Sequence, residues 1–303
     1  MKKLSYLIII CLFAVACSSR EAEQTPGQEE EQEENVQISL EVSIVPEWDG
    51  KRPADSYNYP VVPGMDEWAN FQTTEEMLDA CQVPKDVLEQ MSTQAVVQAI
   101  LDIPFLLDLF AGWSYQFHFE IMFTDLVHPK ANNAYIELSK RNDAGKALLD
   151  RLLLTDPLPH RSLHFESQMV ELLLSQTNFL SQVKEHADDI VRLALRNDEL
   201  RRKDKMWDTT DGKTLQRTAS ENITPMMIGR TMFIAEYAPF LEAANSNILI
   251  KIFIDGKYPR GYFAHAPDEV FWVEYGSTPE LFPIRPLIFD FSKKFLKPLL
   301  SFK

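Results

Sequence analysis

The sequence predicts an α+β fold: a predominantly α-helical domain of short antiparallel helices, followed by a smaller region built on a C-terminal β-hairpin sheet. Three observations predict it. From Thr73 to Lys203, apolar residues recur at three- and four-residue spacing in short runs, separated by caps and prolines. Ile248, Ile250, Ile252 and Ile254 alternate ahead of Asp255-Gly256, a pair suited to a type I′ turn. Val36, Ile38, Leu40, Val42 and Ile44 alternate with Gln37, Ser39, Glu41 and Ser43, the period of a half-buried strand.

Taken in order, Met1–Ala16 reads as an export signal. Lys2 and Lys3 precede the apolar Leu7–Val15, and small residues follow. That stretch is too short to span a bilayer, which takes roughly 20 apolar residues. Ser18–Asn35 holds seven glutamates, Pro26 and Gly27 and no aromatic residue. Such a segment buries too little apolar surface to offset its ordering entropy, so it is expected to be a solvated tether. Pro46–Gly64 is irregular, with four prolines and the aromatics Trp48, Tyr57 and Tyr59.

Helical punctuation then begins. Thr73-Thr74-Glu75-Glu76 offers a capping box, and Pro84 suits the first turn of a short helix through Met91. Ser92 caps a helix carrying Val96, Val97, Ile100 and Leu101, which Pro104 interrupts. Phe105–Phe123 is very apolar and reads as a buried helix, although the alternation Tyr115-Gln-Phe117-His-Phe119 also permits a strand. Helices are expected over Asn133–Lys140, Ala144–Leu154, Ser162–Gln176 and Asn178–Lys203. Trp207–Arg217 reads as a small hairpin, Thr224-Pro225 starts a helix through Ala244 that Pro239 kinks, and Val270–Tyr275 is a third strand. The C-terminal residues are amphipathic, with Lys293, Lys294, Lys297 and Lys303, and are expected to dock on the domain rather than on a membrane.

Four regions result: a signal peptide over 1–16, a lipidated cysteine and acidic tether over 17–35, an N-terminal strand with the helical domain over 36–205, and a mixed helix and β-hairpin region over 206–303. Removing Met1–Ala16 takes away two lysines and no acid, leaving 28 Lys+Arg against 45 Asp+Glu. A balance this acidic argues against nucleic acid and anionic lipid head groups as partners, because both are bound by clustered Lys and Arg. Of the three cysteines only Cys81 remains outside the leader and the lipid site, so no intramolecular disulfide forms in the mature chain.

Ala14-Val15-Ala16-Cys17 resembles the lipobox of bacterial lipoproteins. That resemblance implies cleavage before Cys17, acylation of its sulfur and amino group, and a membrane partner engaged through that N-terminal lipid. Ser18 with acids soon after it looks like lipoproteins sent to the outer membrane; which face of that membrane the chain occupies is left open. A second resemblance rests on Tyr59-Pro-Val-Val-Pro-Gly64, Met77-Leu-Asp-Ala-Cys-Gln-Val-Pro84, Val87-Leu-x-x-Met91-Ser-Thr93 and Asn142-Asp-Ala-Gly-Lys-Ala-Leu-Leu149. These are similar to segments of exported bacterial proteins of unknown function, over about residues 55–155. That group implies an exported helical domain and carries no residue role across.

The chemistry-bearing residues are sparse. His160 and His164 sit at metal-ligand spacing, but Pro157 and Pro159 put His160 before the helix start, so no metal is expected. Cys81 lies four residues from Met77, as a buried position does, and no Gly-x-Ser-x-Gly elbow is present. Asp188-Asp189 reads as a solvated helix face. The candidate binding residues are aromatic: Trp48, Tyr57, Tyr59 and Trp68 near the N-terminus, and Tyr262 and Trp272 near the C-terminus. Aromatic faces stack on sugar rings and on partner side chains. The expected function is a non-enzymatic lipid-anchored envelope protein that binds a protein or a glycan, with no cofactor. An exported hydrolase and an envelope-assembly scaffold are the alternatives.

Overall fold

A computed structural model describes residues 39–104, 106, 116, 119–120, 123, 132–157, 164–203, 214–255, 263–266, 269–272 and 284–297. Cys17, the acidic segment, His160 and Tyr262 lie outside these residues. The described residues all belong to one unit, Ile38–Lys303.

The unit is helical. Its N-terminal part holds α1 (Asp66–Ala69), α2 (Thr74–Ala80), α3 (Lys85–Leu88), α4 (Thr93–Leu101), α5 (Asn133–Leu138) and α6 (Ala144–Leu154). Then come α7 (His164–Leu174), α8 (Thr177–Leu180), a 3-10 turn (Ser181–His186) and α9 (Ala187–Lys203). The C-terminal part holds α10 (Thr214–Ile234), α11 (Ala238–Ser246), α12 (Ile248–Asp255) and α13 (Ile284–Leu296). The caps form as their sequences require. The Thr73 hydroxyl accepts from the Glu76 N–H at 3.2 Å, and the Glu76 carboxylate accepts from the Thr73 N–H at 3.1 Å. The Ser92 hydroxyl accepts from the Ala95 N–H and the Asn132 carboxamide from the Tyr135 N–H, one donor left open at each helix start. Among the scattered described residues of 105–123, Gln116, Phe119 and Phe123 are helical and buried at three- and four-residue steps.

The α+β assignment is corrected: the fold is all-α. Residues Ile248–Asp255 form helix α12 and not a hairpin arm. Leu249 and Phe253 are as apolar as the isoleucines beside them, so the run satisfies a helical period as well as a strand period. The Asn247 side chain accepts from the Leu249 N–H at 3.0 Å and starts a helix. Ile250, Phe253 and Ile254 are then buried, while Ile248 and Lys251 are exposed. Two four-residue strands, Phe263–Ala266 and Glu269–Trp272, pair antiparallel with Phe263 opposite Trp272. This ribbon is the β structure among the described residues, and no third strand joins it.

The predicted N-terminal strand is corrected in the same way. Leu40, Val42, Ile44 and Pro46 are half-buried while Ser39, Glu41, Ser43, Val45 and Glu47 face solvent, so the alternation is real over the described residues. No strand pairs with it. The segment lies instead on α9, where the Asp189 carboxylate accepts from the Ser43 N–H (3.0 Å) and hydroxyl (2.7 Å), and Arg192 donates to the Ser39 carbonyl. Period 2 reports an extended backbone with one buried face; it does not say whether strand or side chain satisfies the backbone. Asp189 is therefore a docking group and not merely a solvated acid.

Other boundaries also shift. The helix expected from Thr224-Pro225 begins at Thr214 and carries Pro225 internally, and Pro239 opens α11 instead of kinking a longer helix. Thr214–Arg217 is helical, so it does not join a hairpin. The long helix expected over Asn178–Lys203 is broken at Val183, whose backbone leaves the helical region. Helix α10 is the hub: it packs on α7, α9, α11, α12 and α13. Helix α13 buries Ile284, Ile288, Ser292 and Leu296 at four-residue steps, with Phe295 edge-on to Tyr237 and Phe291 edge-on to Phe240. Its Lys293, Lys294 and Lys297 stay exposed. Among the described residues no helix is long and apolar enough to cross a membrane.

Candidate functional site

The site begins where two helices meet along a polar seam. Helix α4 is apolar except at Thr93, Gln94 and Gln98, which lie at helical spacing toward α6. The Thr93 hydroxyl donates to the Asp143 carboxylate (2.9 and 2.8 Å), Gln94 Nε2 to the Ala147 carbonyl (3.1 Å), and Arg151 Nη2 to Gln98 Oε1 (2.8 Å). Partners advance together along both helices, so α4 and α6 run parallel.

The extended strap over residues 39–64 crosses this seam. Glu47 Oε1 lies 3.5 Å from Lys146 Nζ of α6. The Arg151 guanidinium lies 4.4 Å from the Trp48 ring, within cation–π range. Arg52 pairs with Asp102 at 2.7 Å, and Asp102 accepts from Gln98 Nε2 at 2.9 Å. Asp55 accepts from the Ser92 N–H (2.6 Å) and hydroxyl (3.1 Å). Burial raises the Asp55 pKa, but these two hydrogen bonds outweigh it and hold the carboxyl below its usual range. Tyr59 donates to the Ala99 carbonyl at 3.0 Å, and burial pushes its hydroxyl well above the ordinary tyrosine value.

Arg151 is the centre of the site. It is only 5 % exposed and sits beside the buried Asp150, among Leu148, Leu149 and Leu152. A charged group this deep needs compensation. Glu166 of α7 supplies it, its Oε1 accepting from Nε (2.9 Å) and Nη2 (2.5 Å). Nη1 has no acceptor, and Gln94 Oε1, one turn along α4 from Gln98, has no donor. Both atoms are closed to solvent, so the arrangement is a buried polar junction that joins α4, α6 and α7 beneath the Trp48 ring.

The candidate aromatics are placed as follows. Trp48 is half-buried over Arg151, and its indole N–H donates to the Lys51 carbonyl at 2.9 Å. Tyr57 is half-buried and meets Tyr59 edge-on at 5.1 Å. Tyr59, at 8 % exposure, belongs to the core and not to a surface. Trp68 is half-buried on α1 and edge-on to Phe71 at 5.5 Å. Trp272 ends the ribbon, and Tyr262 falls outside the described residues. Sequence reasoning missed Gln94, Gln98, Arg151 and Glu166. Two glutamines four apart in an apolar helix, and an Asp-Arg pair flanked by leucines, were the available signals.

Two further buried polar centres fasten helices together. Glu171 of α7, fully buried, accepts from Arg201 (2.7 and 3.0 Å), Thr224 (2.7 Å) and Asn197 (3.3 Å). Arg230 of α10 donates to the Ile254 and Asp255 carbonyls at the end of α12 and to Ser175 and Gln116. Cys81 is buried, with its carbonyl accepting from Asn132. Among the described residues no group of three or more His, Cys, Asp or Glu is placed to hold a metal ion; His160 is outside them, and His164 begins α7. No protein-family model, no curated protein and no solved structure matches the chain.

Proposed function

We propose that this chain is a lipid-anchored outer-membrane protein that binds a protein or glycan partner and catalyses no reaction. The observation that carries this reading is Ala14-Val15-Ala16-Cys17 followed directly by the acidic, aromatic-free Ser18–Asn35. The first places two or three acyl chains at the N-terminus, and each buried methylene adds about 0.8 kcal/mol of membrane affinity. The second is a spacer: 18 residues of coil reach on the order of 25 Å, and like charges extend it further. A tether of this kind suits a body that meets something near the membrane.

Metabolic labelling with an alkyne palmitate analogue tests the anchor. The wild-type chain takes up label and stays in the membrane fraction; Cys17→Ala takes up none and is released. Uptake of label by Cys17→Ala, or no uptake by the wild type, overturns the reading. Protease shaving of intact cells, with a periplasmic marker as control, then decides the face. Cleavage with the marker intact means an external partner, and protection until the outer membrane is opened means a periplasmic one.

A further inference from the structure

We propose that the strap is a releasable spacer: residues 39–58 detach from the body as one unit, stop at Tyr59, and lengthen the link between the body and its membrane anchor. Release stands on the geometry alone. The lengthening rests on the reading of Cys17 as the lipid site.

The way the strap is held carries the inference. No residue from 39 to 58 is buried. Among the described residues, no backbone-to-backbone hydrogen bond joins this stretch to the body. Every hydrogen bond or ion pair that fastens it uses a side chain. Two of these fastenings are ion pairs open to water: the Glu47 side chain is 81 % exposed beside Lys146, and that of Arg52 is 45 % exposed beside Asp102. Such pairs contribute little. Val42 and Ile44 rest on the core from half-buried positions. A segment with few buried apolar contacts and no backbone ladder opens at a lower free energy than helices whose side chains are fully enclosed.

What lies beneath lowers the cost further. Trp48 lies over Arg151, and the Ser39 carbonyl accepts from Arg192. These arginines are 5 % and 8 % exposed. Each keeps a carboxylate near it when the strap leaves: Glu166 of α7 for Arg151, and Asp188, one turn back on α9, for Arg192. Release therefore uncovers charges that water solvates readily, and Arg192 exchanges a carbonyl for water.

Release has a defined end. Tyr59 is buried, and its hydroxyl donates to the Ala99 carbonyl of α4 at 3.0 Å. At the other end the chain runs from Ser39 through the acidic segment to Cys17. A pull from the anchor thus loads the fastenings in order, from Ser39 onward. With the strap held, the link comprises residues 18–38; with it released, residues 18–58. As a coil, its reach grows from about 25 Å to about 35 Å. Drawn out, the freed stretch adds at most roughly 70 Å.

The test uses the full-length mature chain, carrying Cys81→Ala, in lipid nanodiscs. Dyes on Val45→Cys and Leu200→Cys, both exposed positions, report the strap by single-molecule energy transfer. A major high-transfer and a minor low-transfer population are expected. Asp189→Ala and Trp48→Ala each remove a fastening and should each raise the low-to-high ratio about tenfold, with helical circular dichroism unchanged. Trp68→Phe, outside the strap, should leave the ratio as it is. A donor on Ile136→Cys with acceptors on the lipid head groups then reads height: transfer should fall in the two strap variants.

A single high-transfer population in both variants overturns the proposal, because the strap is then a fixed part of the body. So does a low-transfer population that appears only as helical circular dichroism is lost. Release with unchanged transfer to the head groups overturns the spacer. Cys17→Ala in solution reports release with no lipid present, so a failed anchor and a failed strap are told apart.

Discussion

At the scale of single residues, the strap's hold on the body turns on carboxylates with opposite displacements. Asp55 ionises more readily in the fold than in the open chain, because Ser92 gives it two hydrogen bonds that outweigh its burial. Its contribution is therefore full above the unfolded pKa of about 3.9 and is lost as pH falls through the lower folded value. Asp188, beside the strap-holding Asp189, is displaced the other way, chiefly by burial and secondarily by the Asp189 charge, against the opposing pull of Arg192. Ionising it works against the fold, so its penalty is absent at low pH and grows as pH rises through the raised value. Asp55→Asn should lower the urea midpoint at pH 7 and lower it less at pH 3. Asp188→Asn should raise the midpoint at pH 7 and do little at pH 3. Denaturation at the two pH values checks both signs, and equal effects at both would contradict the assignment. Of this, the sequence showed only the acids. Which one meets Ser92 and which is shielded depends on a strap that lies 37 residues from its cap and 146 from its helix.

At the scale of elements, caps were legible and partners were not. Thr73 and Ser92 stand where local chemistry put them, because a cap reads only three or four neighbours. The alternation of isoleucines predicts a strand for the residues of α12, and packing against α10 overrides it. That packing has a specific requirement. A Cβ on Gly229 would lie 2.7 Å from Ile254 Cγ2, so Gly229→Ala should cost about 1–3 kcal/mol as the two helices are forced apart. The end of α10 makes the opposite prediction. Glu236 is the non-glycine residue at positive φ (56°) among the described residues. The Tyr237 N–H bonds to the Met232 carbonyl and the Glu236 N–H to the Phe233 carbonyl, the pattern of a helix ending that favours glycine. Glu236→Gly should therefore stabilise by about 1 kcal/mol, since it relieves the left-handed strain. Thermal melts of the two single variants should move in opposite directions.

At the scale of the molecule, the helices are held in one arrangement by polar centres set inside an apolar core. The apolar period that marks each helix says only that it has a buried face, and many packings satisfy that. Glu171 restricts the choice, since its carboxylate needs Arg201 from α9 and Thr224 from α10 at the same time. Neither residue was legible as its partner, lying 30 and 53 positions away on helices whose register depends on the packing. The energetic consequence differs between breaking the centre and removing it. Glu171→Leu alone leaves the Arg201 guanidinium largely buried without its carboxylate, at a cost of about 3–5 kcal/mol. Arg201→Leu alone strands a fully buried carboxylate and should cost as much. The double variant strands neither charge, so its loss should fall well below the sum, with a coupling of about 1–3 kcal/mol. Urea denaturation of the four proteins measures that coupling, and additive losses would show that the pair does not act as a unit. The double variant should also unfold over a broader transition. With the centre gone, α7, α9 and α10 lose one of the polar contacts that fix their register, and a core that loses specifying contacts loses uniqueness before it loses stability.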